Sequence, residues 1–92
     1  THVSYKDKMY ALDRDLIRIG RASQNEITID EKGVSRFHAE IRKEEGRILF
    51  EDLASTNGST LDGKPLKDIY ELSIGDVVFV CDEKLVFHTQ TD

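Results

Sequence analysis

Apolar and polar residues alternate over short stretches of this chain, and turn-forming residues separate the stretches. In residues 39–42, Ala and Ile alternate with Glu and Arg, so one side of an extended segment is apolar and the other is charged. This period-two pattern is typical of antiparallel β-sheet with one solvated face. It predicts strands over residues 8–12, 16–20, 27–29, 38–43, 47–52, 77–81 and 84–89.

Glycine-containing turns lie between these predicted strands. Glu44-Glu45-Gly46 predicts a tight hairpin, while Asn57-Gly58 and Asp62-Gly63 are pairs that tolerate positive φ. Pro65 is expected near a short edge strand, and residues 68–73 are expected to form a turn or a short helical piece. No long window keeps the apolar spacing of an amphipathic helix. Many short strands at this spacing predict an all-β sandwich or a small barrel.

Residues 1–92 are expected to form a single domain, because a chain this short supports one hydrophobic core. We place that core at about residues 8–89. The polar residues 1–8 and 90–92 are expected to be less packed. The first strand is therefore expected to be shortened, or to be contributed by residues upstream of Thr1.

Charge and cysteine content narrow the classes of function. The 13 basic and 18 acidic residues give a net charge of −5, which argues against general nucleic-acid binding. No apolar run approaches a membrane span, and no signal peptide is visible, although a chain that begins with Thr1 leaves an upstream targeting segment open. The single cysteine, Cys81, forms no internal disulfide framework. We therefore expect a cytoplasmic protein that does not act on membranes.

The residues give little support for an enzyme, a metal site or a cofactor. The three histidines, His2, His38 and His88, have no zinc-binding spacing. Ser35 and His38 are three residues apart and would meet only across a turn, and no nucleophile-elbow motif surrounds Ser35. Neither a P-loop nor a GxGxxG motif occurs. We expect no catalytic residues, no metal and no cofactor.

Three polar segments at the ends of predicted strands contain side chains that can bind phosphate and a peptide main chain. They are Gly20-Arg21, Ser35-Arg36-Phe37-His38 and Ser55-Thr56-Asn57-Gly58. Loops at one end of a β-sandwich converge in space, so these side chains are expected to gather at one rim. Arginine binds phosphate oxygens bidentately, and hydroxyl and backbone N–H groups can donate to the remaining oxygens. An Asn side chain can pair with a peptide main chain, because its NH2 group donates hydrogen bonds and its oxygen accepts them.

These segments resemble the forkhead-associated (FHA) family over residues 13–87. The matching residues are Ile19-Gly20-Arg21, Asn25-Glu26-Ile27, Val34-Ser35-Arg36-Phe37-His38-Ala39, Asp52, Ser55-Thr56-Asn57-Gly58 and Leu72…Gly75-Asp76. The resemblance implies an FHA/SMAD-like antiparallel sandwich of about eleven short strands with binding loops at one end. It also implies a non-catalytic module that binds phosphothreonine peptides, and the intact Ser-Arg-x-His segment favours a bacterial member.

The resemblance also implies a role for individual residues. Arg21 would pair with the phosphate, and Ser35 would donate its hydroxyl to a phosphate oxygen. Arg36 would add charge and contact the peptide. Thr56 would help to close the threonine pocket, and Asn57 would hydrogen-bond the peptide main chain.

Other matching residues would support the site without touching the ligand. Gly20 and Gly58 would permit tight turns, and His38 would brace the binding loops. Two departures from the family pattern stand out. Ser59 replaces a frequent Thr with little expected consequence. Gly33 stands where some relatives carry an arginine that contacts an acidic residue three positions after the phosphothreonine, so that preference is not expected here.

Three hypotheses from different classes follow. The first is a phosphothreonine-dependent adaptor or regulatory domain in Ser/Thr kinase signalling, whose partner is a phosphorylated kinase or kinase substrate. The alternative is a phospho-independent docking or dimerisation module with the same fold. The third is an enzyme, which would require turnover that is lost with Ser35 or His38. Dependence of binding on the phosphate and on Arg21 distinguishes the first two.

Overall fold

Two β-sheets pack face to face in this computed structural model, which describes residues 1–88. The described part of the chain is strand and loop throughout. The strands are β1 (His2–Tyr5), β2 (Lys8–Ala11), β3 (Leu16–Gly20), β4 (Ile27–Thr28), β5 (Ala39–Glu44), β6 (Arg47–Asp52), β7 (Ser59–Leu61), β8 (Lys64–Pro65), β9 (Tyr70–Glu71), β10 (Val77–Val80) and β11 (Glu83–His88). The eleven strands confirm the predicted all-β sandwich.

One sheet has six strands in the order β2-β1-β11-β10-β7-β8, and the other has five in the order β4-β3-β5-β6-β9. Every pairing is antiparallel except that of β3 with β4, which run parallel with Ile19 opposite Ile27. This short parallel pair is the exception within the predicted antiparallel sandwich. It arises because the chain loops back between Arg21 and Glu26, so that β4 leaves the same end of the sheet as β3.

Alternating side chains from both sheets form one hydrophobic core. On β5, Ala39 and Ile41 are buried while Glu40 and Arg42 lie on the solvated face, as the sequence pattern predicts. Fully buried members from several strands and loops include Ile19, Ile27, Ile29, Val34, Phe50 and Val80. The core therefore extends into the loops next to the ends of β3 and β5, and this gives those loops an anchored base.

Two hairpins have turn residues with positive φ, as the sequence predicts. Glu45 and Gly46 have φ of 51° and 78°, and Asp62 and Gly63 have φ of 52° and 77°. Two consecutive residues with positive φ form a type I′ turn, whose twist matches that of the flanking strands. The hairpins β5–β6 and β7–β8 are thus closed by two residues each. Pro65 lies on β8 at the sheet edge, where its missing N–H is tolerated.

Two expectations about strands were wrong. Residues 1–8 are packed rather than loose, because β1 lies between β2 and β11 and buries Val3 and Tyr5. Within residues 68–73, the chain forms β9, which pairs with β6 through Leu49 and Phe50. Both elements are too short for a clear alternating pattern. The predicted last residue of the final strand, Thr89, and the polar residues 90–92 lie outside the described residues.

We predict that Val3→Ala lowers the free energy of unfolding by about 2 kcal/mol, because it removes two buried methyl groups from a central strand. His2→Ala is the matched control on the outer face of the same strand, and its effect should stay within about 0.5 kcal/mol. Urea unfolding followed by circular dichroism measures both. Equal effects of the two substitutions would show that β1 is not part of the core.

Candidate functional site

The loop after β3 is joined to the loop before β5 by main-chain hydrogen bonds. The Arg21 N–H donates to the Ser35 carbonyl at 2.9 Å, and the Ala22 N–H donates to the Arg36 carbonyl at 3.1 Å. A Cβ at Gly20 would lie 2.3 Å from the Arg36 carbonyl oxygen, so only glycine permits this approach. The two segments that carry Arg21, Ser35 and Arg36 are therefore held side by side.

Asn25 fastens the same two loops from within. Its side chain is 5% exposed, and its Nδ2 donates to the Ala22 and Arg36 carbonyls, both at 2.8 Å. The sequence reasoning named Asn25 as part of a family match but gave it no place among the site residues. Its position in a polar segment, Ser23-Gln24-Asn25-Glu26, made it resemble an ordinary turn residue. Only the fold shows that both donors of its amide are used.

His38 connects the loop before β5 to the loop after β6. The imidazole is fully buried, and its Nδ1 accepts the Ser35 N–H at 3.1 Å. Because a backbone amide can only donate, Nδ1 carries no proton in this arrangement, and Nε2–H donates to the Gly58 carbonyl at 2.9 Å. The structure thus places His38 between the two loops that it was expected to brace.

Asp52 shapes the turn that presents Thr56 and Asn57. Its carboxylate accepts the Ser55 N–H at 2.8 Å, the Ser55 hydroxyl at 2.7 Å and the Ser59 hydroxyl at 2.6 Å. Burial by itself would raise the pKa of Asp52, but these hydrogen bonds hold the pKa below its ordinary value. The Ser55 oxygen in turn accepts the Gly58 N–H at 2.9 Å. Asp52 and Ser55 are supporting residues that the sequence reasoning left without a role.

The residues predicted to contact a ligand lie on these braced loops. The Ser35 Oγ accepts the Thr56 N–H at 3.0 Å, and the Asn57 Nδ2 donates to the Gly33 carbonyl at 2.7 Å. Thr56 and Asn57 are exposed. Since the Ser35 oxygen already accepts a hydrogen bond and no acceptor within residues 1–88 takes its proton, this hydroxyl can donate outward. The structure brings the five predicted contact residues to one end of the sandwich.

The rim carries cations that no carboxylate of the described chain neutralises. Arg21, Lys32 and Arg36 are exposed and form no ion pair within residues 1–88. Arg18, which lies on β3 three residues before Arg21, instead pairs with Glu26 at 3.5 Å. The local positive potential therefore comes from the loops themselves, in a protein whose net charge is −5.

The described residues hold no group of three or more His, Cys, Asp or Glu side chains arranged for a metal ion. They also include no helix that could span a membrane. Ser35 and His38 do not form a nucleophile–base pair, because the imidazole contacts the Ser35 main chain and not its hydroxyl.

Comparison with known proteins identifies the family. The FHA domain model matches residues 17–80, and the chain therefore belongs to the FHA family. This confirms the resemblance stated from the sequence.

Several curated bacterial proteins are similar to this chain. The transcriptional regulatory protein EmbR of Mycobacterium tuberculosis is 33% identical over 85% of the chain. The oxoglutarate dehydrogenase inhibitor of Corynebacterium diphtheriae is 36% identical over 85%, and the glycogen accumulation regulator GarA of Mycolicibacterium smegmatis is 36% identical over 87%. The chain spans only 20%, 54% and 50% of these proteins, respectively.

Solved structures show the same fold. A structure from a study of phosphothreonine-dependent FHA domain interactions superposes with a TM-score of 0.87 at 30% identity, covering 99% of both chains. The FHA domain of FhaA, solved in complex with the intracellular domain of Rv3910, superposes with a TM-score of 0.85 at 31% identity. The two alignments cover 99% and 92% of this chain. These neighbours confirm the sandwich and its strand arrangement.

We predict that Asp52→Asn destabilises the fold at neutral pH by about 1–3 kcal/mol, because the buried Ser59 hydroxyl and the Ser55 groups lose a charged acceptor. The pKa of Asp52 is lowered in the folded state. Its stabilising contribution is therefore full above the ordinary aspartate pKa of about 3.9 and is lost as pH falls through the folded-state pKa. The difference between parent and variant should narrow as the solution is acidified.

Urea unfolding at a series of pH values measures this difference. Asp13→Asn is the control, because the Asp13 side chain is 69% exposed. A difference between the parent chain and Asp52→Asn that stays constant down to the lowest pH would contradict the stabilising role of the charged carboxylate.

Proposed function

We propose that this chain is a phosphothreonine-peptide binding domain that acts as an adaptor or regulatory module in Ser/Thr kinase signalling. The observation that carries the proposal is that Ser35 and Arg21, on two joined loops, both have hydrogen-bond donors available to a ligand. The Ser35 oxygen accepts the Thr56 N–H, so the hydroxyl proton remains available to a ligand, and the exposed Arg21 guanidinium lacks a carboxylate partner in the described chain. A hydroxyl donor beside an unpaired guanidinium is suited to a phosphate dianion.

Arg36 adds to the phosphate-binding character of this rim. Arg36 follows Ser35 directly, and its exposed side chain brings a second positive charge to the same loop. Arginine and hydroxyl groups together satisfy several phosphate oxygens. Each charge-assisted hydrogen bond contributes about 1.5–3 kcal/mol net. Three or four such bonds, less the cost of ordering an extended peptide, correspond to a dissociation constant on the order of micromolar.

Asn57 supplies recognition of the peptide main chain. Its Nδ2 donates to the Gly33 carbonyl, which fixes the amide plane and leaves the Oδ1 atom to accept a peptide N–H. Thr56, next to it, would help to enclose the threonine side chain. A small apolar niche for the threonine methyl group would favour phosphothreonine over phosphoserine by roughly 1 kcal/mol.

The proposal describes a binding module and not an enzyme. Both imidazole nitrogens of His38 are engaged with main-chain groups, and Asp52 Oδ2 lies 3.6 Å from His38 Nε2, which is farther than the Gly58 carbonyl. A serine, a histidine and an aspartate are thus close together, but their contacts stabilise loops. The single cysteine, Cys81, is a free thiol, which is compatible with a reducing compartment. We therefore include a cytoplasmic location in the proposal.

The similar proteins support a phosphorylated partner. EmbR has been solved in complex with a low-affinity phosphopeptide and is 27% identical to this chain in that structure, with a TM-score of 0.89. FhaA binds the intracellular domain of Rv3910 through its FHA domain. For this chain, we propose a phosphothreonine-containing kinase or kinase substrate as partner.

A second candidate function is phospho-independent docking through a sheet face. The observation that favours it is the outer face of the six-stranded sheet, where Met9 is 58% exposed and Val77, Phe79 and Val86 are only partly buried. Such a surface could bind a protein partner without phosphate. Binding through this face would not involve Arg21 or Ser35. Substitution of these two residues therefore distinguishes the two candidate functions.

We predict micromolar binding of a degenerate phosphothreonine peptide library by fluorescence anisotropy, and loss of measurable binding for Arg21→Ala and Ser35→Ala. Matched phosphoserine libraries should bind more weakly, and unphosphorylated libraries should not bind. Arg18→Ala is the matched arginine control, because the Arg18 guanidinium pairs with Glu26. It should bind within about twofold of the parent, since 0.4 kcal/mol corresponds to this ratio.

The affinities of the variants are compared only where their unfolding midpoints equal that of the parent chain. Equal binding of the phosphorylated and unphosphorylated libraries, or unchanged binding by Arg21→Ala, would overturn the phosphate assignment and favour docking through the sheet face.

A further inference from the structure

The two-residue turn between β10 and β11 lies against the site, although sequence reasoning gave it no role there. Cys81 begins this turn, with a φ of 57°. Its N–H donates to the Gly58 carbonyl at 3.0 Å, the same oxygen that accepts the His38 Nε2–H. The turn is therefore attached to the loop that carries Thr56 and Asn57.

The Cys81 side chain also meets the loop before β5. A Cβ built on Gly33 would lie 2.6 Å from the Cys81 Sγ atom, which is too close for two atoms that are not bonded to each other. It would lie 3.8 Å from the Cys81 Cβ and 3.4 Å from the Asn57 Nδ2. The sulfur thus fills the space that a side chain at Gly33 would need. Gly33 has no positive φ, so its backbone would accept alanine if the sulfur were absent.

The carbonyl of Gly33 is also the acceptor that holds the Asn57 amide, at 2.7 Å. One turn therefore contacts Gly33 itself and Gly58, the residue that follows Asn57. It reaches the Gly33 residue through the thiol and the loop of Asn57 through the hydrogen bond to Gly58. Any displacement of Gly33 moves the atom that orients Asn57.

We propose that Cys81 is a positioning residue for peptide recognition. Its sulfur packs against the bare Cα of Gly33 and fixes the Gly33 carbonyl, which in turn sets the plane of the Asn57 amide that faces the peptide main chain. Gly33 and Cys81 form a size-matched pair, in which a side chain at one position requires a smaller one at the other. This inference rests on the proposed function and assigns a task to the only cysteine of the chain.

A double-mutant cycle tests the pair. Gly33→Ala alone forces its Cβ into the sulfur, and we expect phosphothreonine peptide binding to weaken about tenfold, which corresponds to 1.4 kcal/mol of overpacking. Cys81→Ala alone keeps the Cβ atom and the turn but removes the packing against Gly33, and it should weaken binding about threefold.

The double variant Gly33→Ala/Cys81→Ala is the decisive member of the cycle. The two Cβ atoms would then be 3.8 Å apart, an ordinary van der Waals contact. We expect its affinity to return to within about threefold of the parent, so that the two effects are strongly non-additive. The side-chain amide signals of Asn57 in ¹⁵N-resolved NMR spectra provide a second readout, which should shift in Gly33→Ala and return in the double variant.

The outcomes separate the two proposals. Parent-like binding by Gly33→Ala, or additive losses in the double variant, would overturn the positioning role while leaving phosphopeptide binding intact. A parent chain that binds no phosphothreonine peptide would overturn the proposed function. In that case the NMR cycle still decides whether Cys81 positions Asn57. A fall in the unfolding midpoint of Gly33→Ala without any shift of the Asn57 amide would show that the contact is merely structural.

Discussion

The binding end of this protein depends on one fully buried imidazole. His38 accepts the Ser35 N–H and donates to the Gly58 carbonyl, and so it joins two loops that come from different parts of the chain. The main-chain N–H of His38 donates to the Ile19 carbonyl at 2.8 Å, which ties both loops to the end of β3. A backbone N–H and a backbone carbonyl require opposite roles from the two ring nitrogens, so neutral histidine fits both. Asp52, Asn25 and Gly20 extend this network to the remaining loops.

This framework explains how an acidic domain can hold a dianionic ligand. The net charge is −5, but away from the rim charged groups pair with one another, as Arg42 does with Glu40 and Glu51. Arg21 and Arg36 stand on loops that main-chain hydrogen bonds hold together, and neither guanidinium group forms an ion pair within residues 1–88. Because the loops are fixed before a ligand arrives, less ordering free energy opposes binding than for mobile loops.

The sequence predicted the architecture wherever a pattern was long enough to read. The alternation of residues 39–42 predicts β5 correctly, and the turn residues at Gly46 and at Asp62-Gly63 lie in the β5–β6 and β7–β8 hairpins, respectively. The strands β1, β7 and β9 were not predicted, because two to four residues carry no clear period and only pairing with neighbouring strands makes them extended. At the site, motif order predicted ligand contacts for Arg21, Ser35 and Asn57, and the fold brings these residues to one end of the sandwich. Motif order gave no role to Asn25, Asp52 and Cys81, whose contacts join residues that only the fold brings together.

The central claim is that the braced loops form a preorganised site for a phosphothreonine peptide. Titration of the ¹⁵N-labelled chain with a phosphothreonine peptide, followed by amide chemical shifts, tests it most directly. The account predicts shifts concentrated at Arg21, Ser35, Thr56 and Asn57, with none when the same peptide lacks phosphate. Shifts on the outer face of the six-stranded sheet, or equal shifts with both peptides, would contradict it.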